Sequence, residues 1–170
     1  ILPLTLMCMF ILLYATFGKF RQAGLVLSIV PLALFGGMLA LNVRGMTLNV
    51  SSAVGFIAMF GLSIQNGIIM VSQINNLRKG GMELRKSVIE GARQRFRPIL
   101  MTSVTTVLGL FPASLATGIG SDVQRPLATV IVYGLMFTAL ISMFVLPVFY
   151  YLIENNVLNK KKNDEKEYTL

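Results

Sequence analysis

Uncharged polar side chains interrupt two long apolar segments of the sequence. Gln65 and Asn66 lie in the middle of residues 55–74, and Thr102 lies within residues 98–117. A polar group inside an apolar helix is costly unless it finds a hydrogen-bonding partner, so such groups mark helix contacts or a transport path. A neutral amide does not titrate, so Gln65 and Asn66 could orient a carboxylate or a water but could not carry a proton. A polar clamp between packed helices is the alternative role.

A small polar face is predicted on the second segment. Thr102, Thr105, Thr106 and Gly109 are spaced so that they share one side of a helix. The hydroxyls could bond to carbonyls of their own helix, or they could line a wettable seam for proton transfer; the sequence leaves both open. Arg95 lies two helical turns before Thr102 and shares its side. It is a candidate counter-charge for a carboxylate elsewhere, with membrane anchoring as the alternative.

Residue types needed for other chemistries are scarce. The chain has no His, and its single Cys, Cys8, lies in an apolar run. This scarcity excludes a tight zinc or copper site of the usual ligands. We expect no metal, no cofactor and no catalytic residue, and a transporter rather than an enzyme. None of the seven Asp and Glu residues falls inside an apolar segment. A proton-coupled pump normally needs an intramembrane carboxylate, so this chain is not expected to form a complete proton relay alone.

The composition indicates an integral membrane protein. Of the 170 residues, 55% are hydrophobic and only 13% are charged, and the mean hydropathy is +0.72. A water-soluble domain of this size could not cover so much apolar surface. The formal net charge is +8, but the basic residues lie between apolar segments, which indicates membrane topology rather than nucleic-acid binding.

The apolar segments predict an all-α membrane protein with five transmembrane helices. Within a transmembrane domain of residues 1–153, the helices are expected at about 1–17, 24–43, 53–74, 98–117 and 123–153. A separate amphipathic surface helix is expected at about 82–94, and a cytoplasmic, disordered tail at 154–170. Gly36, Gly37 and Gly109 are expected at helix–helix contacts, because small residues let neighbouring backbones approach closely.

The basic residues predict the orientation of the chain. All of the 15 Lys and Arg residues except Arg44 and Arg125 lie in the turn 18–22, the connector 75–97 or the tail. Basic loops are retained in the cytoplasm, so the connector and the tail are predicted to be cytoplasmic. The five helices then start outside and end inside, and we expect that an earlier part of a longer protein precedes them.

Three motifs together resemble the resistance-nodulation-division (RND) efflux permeases. They are GFIAMFGLSIQNGII at 55–69, RFRPILMTSVTTVLGLFPASLATGIGSDVQRPLATVIVYG at 95–134 and LPVFYYL at 146–152. Arg95 and Thr102 match the Arg and Thr of the family's proton-relay network, and Asn66 matches a recurrent Asn. Gln65 occupies a position where the drug-exporting branch has Lys and the copper/silver branch has Glu. The run GSDVQRPLATV resembles the cobalt-zinc-cadmium type of heavy-metal exporter.

The resemblance implies that the chain is the C-terminal five-helix part of a twelve-helix RND permease. Such a permease is a proton antiporter of the bacterial inner membrane that exports heavy-metal cations. It works as a homotrimer in the lipid bilayer, with a periplasmic adaptor and an outer-membrane channel. The proton-relay candidates are then Arg95, Thr102, Gln65 and Asn66. A multidrug-type RND exporter, a non-transporting helical assembly module and a secretion accessory factor remain as alternatives.

Overall fold

The computed structural model describes the backbone of residues 2–167 and the side chains of residues 3–162. The helices are α1 (Leu2–Phe17), α2 (Phe20–Leu27), α3 (Ile29–Val43), α4 (Val50–Lys79), α5 (Leu84–Leu115) and α6 (Ser121–Glu167). No strand occurs within residues 2–167. Four stretches are long and apolar enough to cross a membrane, namely Phe20–Val43, Val50–Lys79, Leu84–Leu115 and Ser121–Lys162, and α1 is a shorter apolar helix. The predicted all-α membrane fold is confirmed.

The ends of α4 are set by local sequence. Asn49 and Ser52 form a capping box at its start, in which the Asn49 side chain accepts from the Ser52 amide and the Ser52 hydroxyl accepts from the Asn49 amide, both at 2.9 Å. This satisfies two backbone donors that the first turn of a helix leaves free. At the other end, Gly81 has φ +86°, a left-handed conformation that glycine adopts without a side-chain clash. The chain therefore turns sharply from α4 into α5.

The segment predicted as one helix at 24–43 contains a break at Ser28. It separates α2 from α3, although the two follow one another closely enough to count as a single membrane-spanning stretch. Pro31 supplies the physical reason, because it has no N–H to donate to the carbonyl four residues earlier. The Ser28 hydroxyl donates to the Leu25 carbonyl at 2.6 Å and so satisfies one acceptor near the break.

The connector and the fourth predicted span form one helix instead of two. A separate surface helix was expected at 82–94 with a new helix at Pro98, but α5 runs from Leu84 to Leu115 without interruption. Pro98 removes one backbone hydrogen bond, and an established helix tolerates that loss as a local bend. The basic connector thus extends the transmembrane helix rather than forming an element of its own.

The tail also differs from its expectation. Instead of becoming disordered after residue 153, α6 continues as a helix to Glu167. A segment that extends an existing helix needs no new nucleation, and its Lys and Glu residues are good helix formers. The last three residues of the expected disordered tail, 168–170, lie outside the described residues.

The core lies around α6, which packs against α3, α4 and α5. Buried apolar side chains from all six helices form one continuous cluster, to which α1 contributes Leu13 and α5 contributes Val88 and Ile99. The membrane-length part of α5 is covered much less, and Met101 and Leu108 are 72% and 67% exposed. One side of α5 therefore has no neighbour within the described part of the chain.

Candidate functional site

Arg95 is held by a residue of the neighbouring helix. It is half-buried on α5, and its Nη2 donates to Oε1 of Gln73 on α4 at 2.8 Å. Its Nε is buried, and no acceptor among the described residues lies within hydrogen-bonding distance of it. The guanidinium is therefore held on one side, and its buried Nε is left without an acceptor among the described residues. Gln73 was not singled out in the sequence, because its partner is 22 residues away.

The Gln73 amide belongs to a longer hydrogen-bonded chain between α4 and α5. Its Nε2 donates to Oε1 of Gln94 at 2.6 Å, and Nε2 of Gln94 donates to Oε1 of Glu90 at 3.0 Å. Glu90 and Gln94 lie one turn apart on α5. The amide of Gln73 is thereby fixed at both ends, so that its oxygen faces Arg95.

The threonine hydroxyls of α5 bond within their own helix. Thr102 donates to the Pro98 carbonyl, Thr105 to the Met101 carbonyl at 2.8 Å and Thr106 to the Thr102 carbonyl at 2.9 Å. This is the back-bonding alternative weighed from the sequence. Thr102 is exposed, and no hydrogen bond joins it to Arg95 within the described residues. Each hydroxyl oxygen keeps acceptor capacity toward whatever covers this face.

Gln65 and Asn66 lie on different sides of α4. Gln65 is exposed, whereas Asn66 is only 8% exposed. Across the described part of the chain, neither amide makes a hydrogen bond, and Ser63 donates to the carbonyl of Met59 rather than to Asn66. The four relay candidates are therefore not joined by hydrogen bonds to one another.

The three glycines singled out for packing have different surroundings. A Cβ atom at Gly36 would lie 2.6 Å from Cδ1 of Phe137, and one at Gly37 would lie 2.5 Å from Cε1 of Phe56. Both glycines are buried where α3 meets α6 and α4. Gly109 is exposed, and a Cβ atom there would meet nothing within 4 Å in the described residues.

The most extensive polar network was missed by the sequence analysis. Glu154, at the end of the apolar part of α6, accepts from Nη1 of Arg78 at 2.8 Å and from Nε2 of Gln22 at 3.3 Å. Asn75 exchanges hydrogen bonds with Gln22 at 2.8 and 3.0 Å and accepts from the Tyr150 hydroxyl at 2.6 Å. The spacing of Asn75 from Arg78, and of Tyr150 from Glu154, was the available signal, since each pair shares a helix face. The network joins α2, α4 and α6 at the end bearing the basic connector.

No group of three or more His, Cys, Asp or Glu side chains comes together in the residues that the structure describes. The site is instead an arginine held by an amide, next to a threonine face that is open on its outer side. It stands on two adjacent helices of membrane-spanning length. These features define a multi-pass α-helical membrane protein with polar groups placed at helix surfaces rather than an enclosed pocket.

Comparison with known proteins identifies the family. The chain belongs to the AcrB/AcrD/AcrF family, whose model matches residues 1–154. It is 43% identical over 150 residues to the cobalt-zinc-cadmium resistance protein CzcA of Cupriavidus metallidurans, covering 88% of this chain and 14% of that protein. It is 35% identical over 160 residues to the toluene efflux pump membrane transporter TtgE of Pseudomonas putida, covering 94% of this chain and 15% of that protein.

A solved structure shares both fold and sequence. An X-ray crystal structure of a heavy metal efflux pump superimposes with a TM-score of 0.83 at 52% identity, covering 91% of this chain and 16% of that one. The resemblance to RND efflux permeases is confirmed. The chain spans only about one-seventh of the length of the relatives it matches.

Proposed function

We propose that the chain is the C-terminal transmembrane part of a proton-driven RND permease that exports heavy-metal cations. The observation that carries the proposal is the similarity to a heavy-metal efflux pump, at 52% identity over 91% of the chain. The lower identity to a toluene exporter, 35% against 43% for the cobalt-zinc-cadmium protein, favours metal cations over organic solvents. A multidrug-type exporter is the second candidate, and the two differ in whether loss of the protein sensitises cells to metals or to organic compounds.

The role proposed for this part is energy coupling rather than cation binding. Cation sites use carboxylate, imidazole or thiolate ligands, and the described residues bring no three such groups together. We therefore place metal binding in the rest of the permease. If the chain were part of a secretion accessory factor or an inert assembly module, replacing a single polar side chain of this chain would not affect metal export.

The proposed relay is built around the free side of Arg95. Gln73 holds one face of the guanidinium, and the buried Nε has no acceptor in the described residues. A carboxylate from another helix of the permease would be attracted to the exposed part of the half-buried guanidinium when ionised and released when protonated, because a nearby positive charge favours its charged form. Thr102, exposed on the same helix, would offer its oxygen to a water or to that acid. Exposed Gln65 would contact the same partner from α4, while the unpartnered amide of Asn66 would orient a water inside the bundle.

The test compares two arginines of α5 in the full-length permease. Arg95→Ala should abolish export of cobalt, zinc and cadmium alike. Arg93→Ala should keep export near the wild-type level, because Arg93 is exposed and makes no hydrogen bond within the described residues. Gln73→Leu should lower export of all three metals while leaving protein abundance unchanged, because Arg95 then loses its fixed orientation. Metal retention in cells, normalised to protein level by blotting, provides the readout.

Three outcomes would reject the relay. Normal export by Arg95→Ala would leave Arg95 as a membrane anchor. A loss confined to one of the three metals would assign Arg95 to substrate choice rather than to coupling. Equal loss in Arg93→Ala and Arg95→Ala would indicate a general effect of removing basic charge at the membrane surface.

The location and assembly are proposed on the same basis. We place the protein in the bacterial inner membrane, with the connector 75–97 and the C-terminal tail in the cytoplasm, because these segments carry most of the basic residues. The full permease would form a homotrimer with a periplasmic adaptor and an outer-membrane channel. A Cys8→Ser/Lys86→Cys permease should not be labelled at residue 86 by a membrane-impermeant thiol reagent applied to intact cells. Rapid labelling there would show that the connector faces the outside, opposite to the proposed orientation.

A further inference from the structure

A groove of about 1170 Å³ lies between α2–α3 and the C-terminal half of α6. It is open because the facing side of α2–α3 is small: Gly24 has no side chain, and a Cβ atom there would meet nothing within 4 Å. Ser28 adds only a hydroxyl, which bonds to its own helix. Pro31, just after the break between α2 and α3, and the larger side chains of Leu25 and Leu32 complete this wall.

The other wall of the groove is an apolar strip of α6. Val145, Phe149, Ile153 and Val157 line it at four-residue intervals and so form one face of the helix. The strip is about 18 Å long at about 1.5 Å per residue. One leaflet of a bilayer has a hydrocarbon depth of about 15 Å. The apolar part of the groove therefore matches the length of an acyl chain within a single leaflet.

Three basic residues lie together at one end of this groove. Arg21 enters from α2, and Lys160 and Lys161 follow the apolar strip on α6. All three are exposed, and no acidic residue is among the described residues that line the groove. Glu154, the acid that precedes the two lysines on α6, is instead buried and ion-paired with Arg78. Among the residues whose side chains the structure describes, none compensates the charge at this end of the groove.

We propose that this groove binds an anionic phospholipid, with an acyl chain along α6 and the phosphate held by Arg21, Lys160 and Lys161. The charge decides between this occupant and a further helix of the permease. An apolar helix seated here would remove water from three neighbouring cations and supply no negative charge in return. A phospholipid supplies both the apolar chain and the charge, at the depth where a leaflet places them.

The experiment uses the full-length permease in nanodiscs that contain a photoactivatable phosphatidylglycerol or the matching phosphatidylcholine. Crosslinked peptides are then identified by mass spectrometry. The phosphatidylglycerol probe should label the peptides of residues 21–32 and 145–161 several-fold more than the phosphatidylcholine probe. Arg21→Gln/Lys160→Gln/Lys161→Gln should remove this preference, since each basic residue near the membrane surface contributes roughly fivefold. Gly24→Leu should reduce labelling by both probes, because its side chain extends into the open groove.

The matched control changes the same amount of charge elsewhere. Arg85→Gln/Lys86→Gln/Arg93→Gln neutralises three exposed residues of α5, outside this groove, and should keep the preference. Equal labelling by the two probes would overturn the proposal, as would a preference that survives in the groove variant. Absence of label from both groove walls in the wild-type permease would show that another segment occupies the groove, and would also overturn it.

Discussion

The pair of Arg78 and Glu154 should be the strongest single polar contact holding α4 to α6. Its atoms are 2.8 Å apart, and the side chains are 24% and 10% exposed. Two unit charges with centres about 4 Å apart interact by about 4 kcal/mol at an effective dielectric constant of 20. Because a quarter of Arg78 reaches solvent, screening should reduce this to a coupling of about 2 kcal/mol.

A double-mutant cycle in the full-length permease measures that coupling. Glu154→Gln should destabilise the protein by about 2 kcal/mol, because Arg78 keeps a hydrogen-bond acceptor but loses the charge opposite it. Arg78→Gln should cost a similar amount, and the double variant should cost about 2 kcal/mol less than the sum of the two. The free energy of unfolding is obtained from detergent-mixed micelles titrated with denaturing detergent and followed by circular dichroism.

The matched control is Lys19, which also approaches Glu154. Its Nζ is 4.0 Å from Oε1, and its side chain is 59% exposed. An exposed pair of this kind contributes less than about 1 kcal/mol, so Lys19→Gln should be close to neutral. The reasoning fails if the coupling between Arg78 and Glu154 is below about 0.5 kcal/mol, or if Lys19→Gln costs as much as Glu154→Gln.

Two further predictions concern apolar and terminal contacts of the bundle, each measured by thermal unfolding of the full-length permease in detergent. Gly36→Leu should cost about 1–3 kcal/mol, because its Cβ would already lie 2.6 Å from Phe137; unchanged stability would show that Phe137 moves aside freely. Arg44→Gln should cost about 1–2 kcal/mol, because Nη1 of Arg44 donates to the Ser114 carbonyl at 3.0 Å at the end of α5. Arg125 is the other basic residue at the same end of the bundle. If Arg125→Gln lowers the stability as much as Arg44→Gln does, the effect comes from surface charge and not from the bond to Ser114.

The sequence was sufficient to locate the helices, because long apolar runs have few alternatives in a membrane. It did not determine where helices join. Pro98 resembles a helix start by its preference for the first turn, yet the same residue is tolerated inside a helix that is already formed. The choice depends on whether residues 84–97 pack against α4, and Gly91, which would place a Cβ atom 2.7 Å from Ile74, shows that they do.

The polar contacts were harder to predict than the helices. A half-buried arginine needs a partner, but nothing in one sequence indicates which of several amides and acids supplies it. Arg95 bonds to Gln73, 22 residues away, and Arg78 pairs with Glu154, 76 residues away. Glu154 also lies just past the apolar part of α6, where an acid is usually solvated. Its burial results from α2 and α4 closing over it.

The exposed side of α5 carries small and polar residues in line with the proposed relay residue Arg95. Thr102 and Gly109 are two helical turns apart and both exposed, so they share a side of α5 that the described residues leave open. Neither residue offers a specific contact to lipid. A neighbouring helix could approach the backbone closely at Gly109 and could donate a hydrogen bond to the Thr102 hydroxyl. Arg95 lies a further two turns toward the connector and is half-buried, so part of its guanidinium remains accessible. A helix packed along this line would therefore meet Gly109, Thr102 and Arg95 in succession, which is the geometry needed for a carboxylate on that helix to reach the arginine.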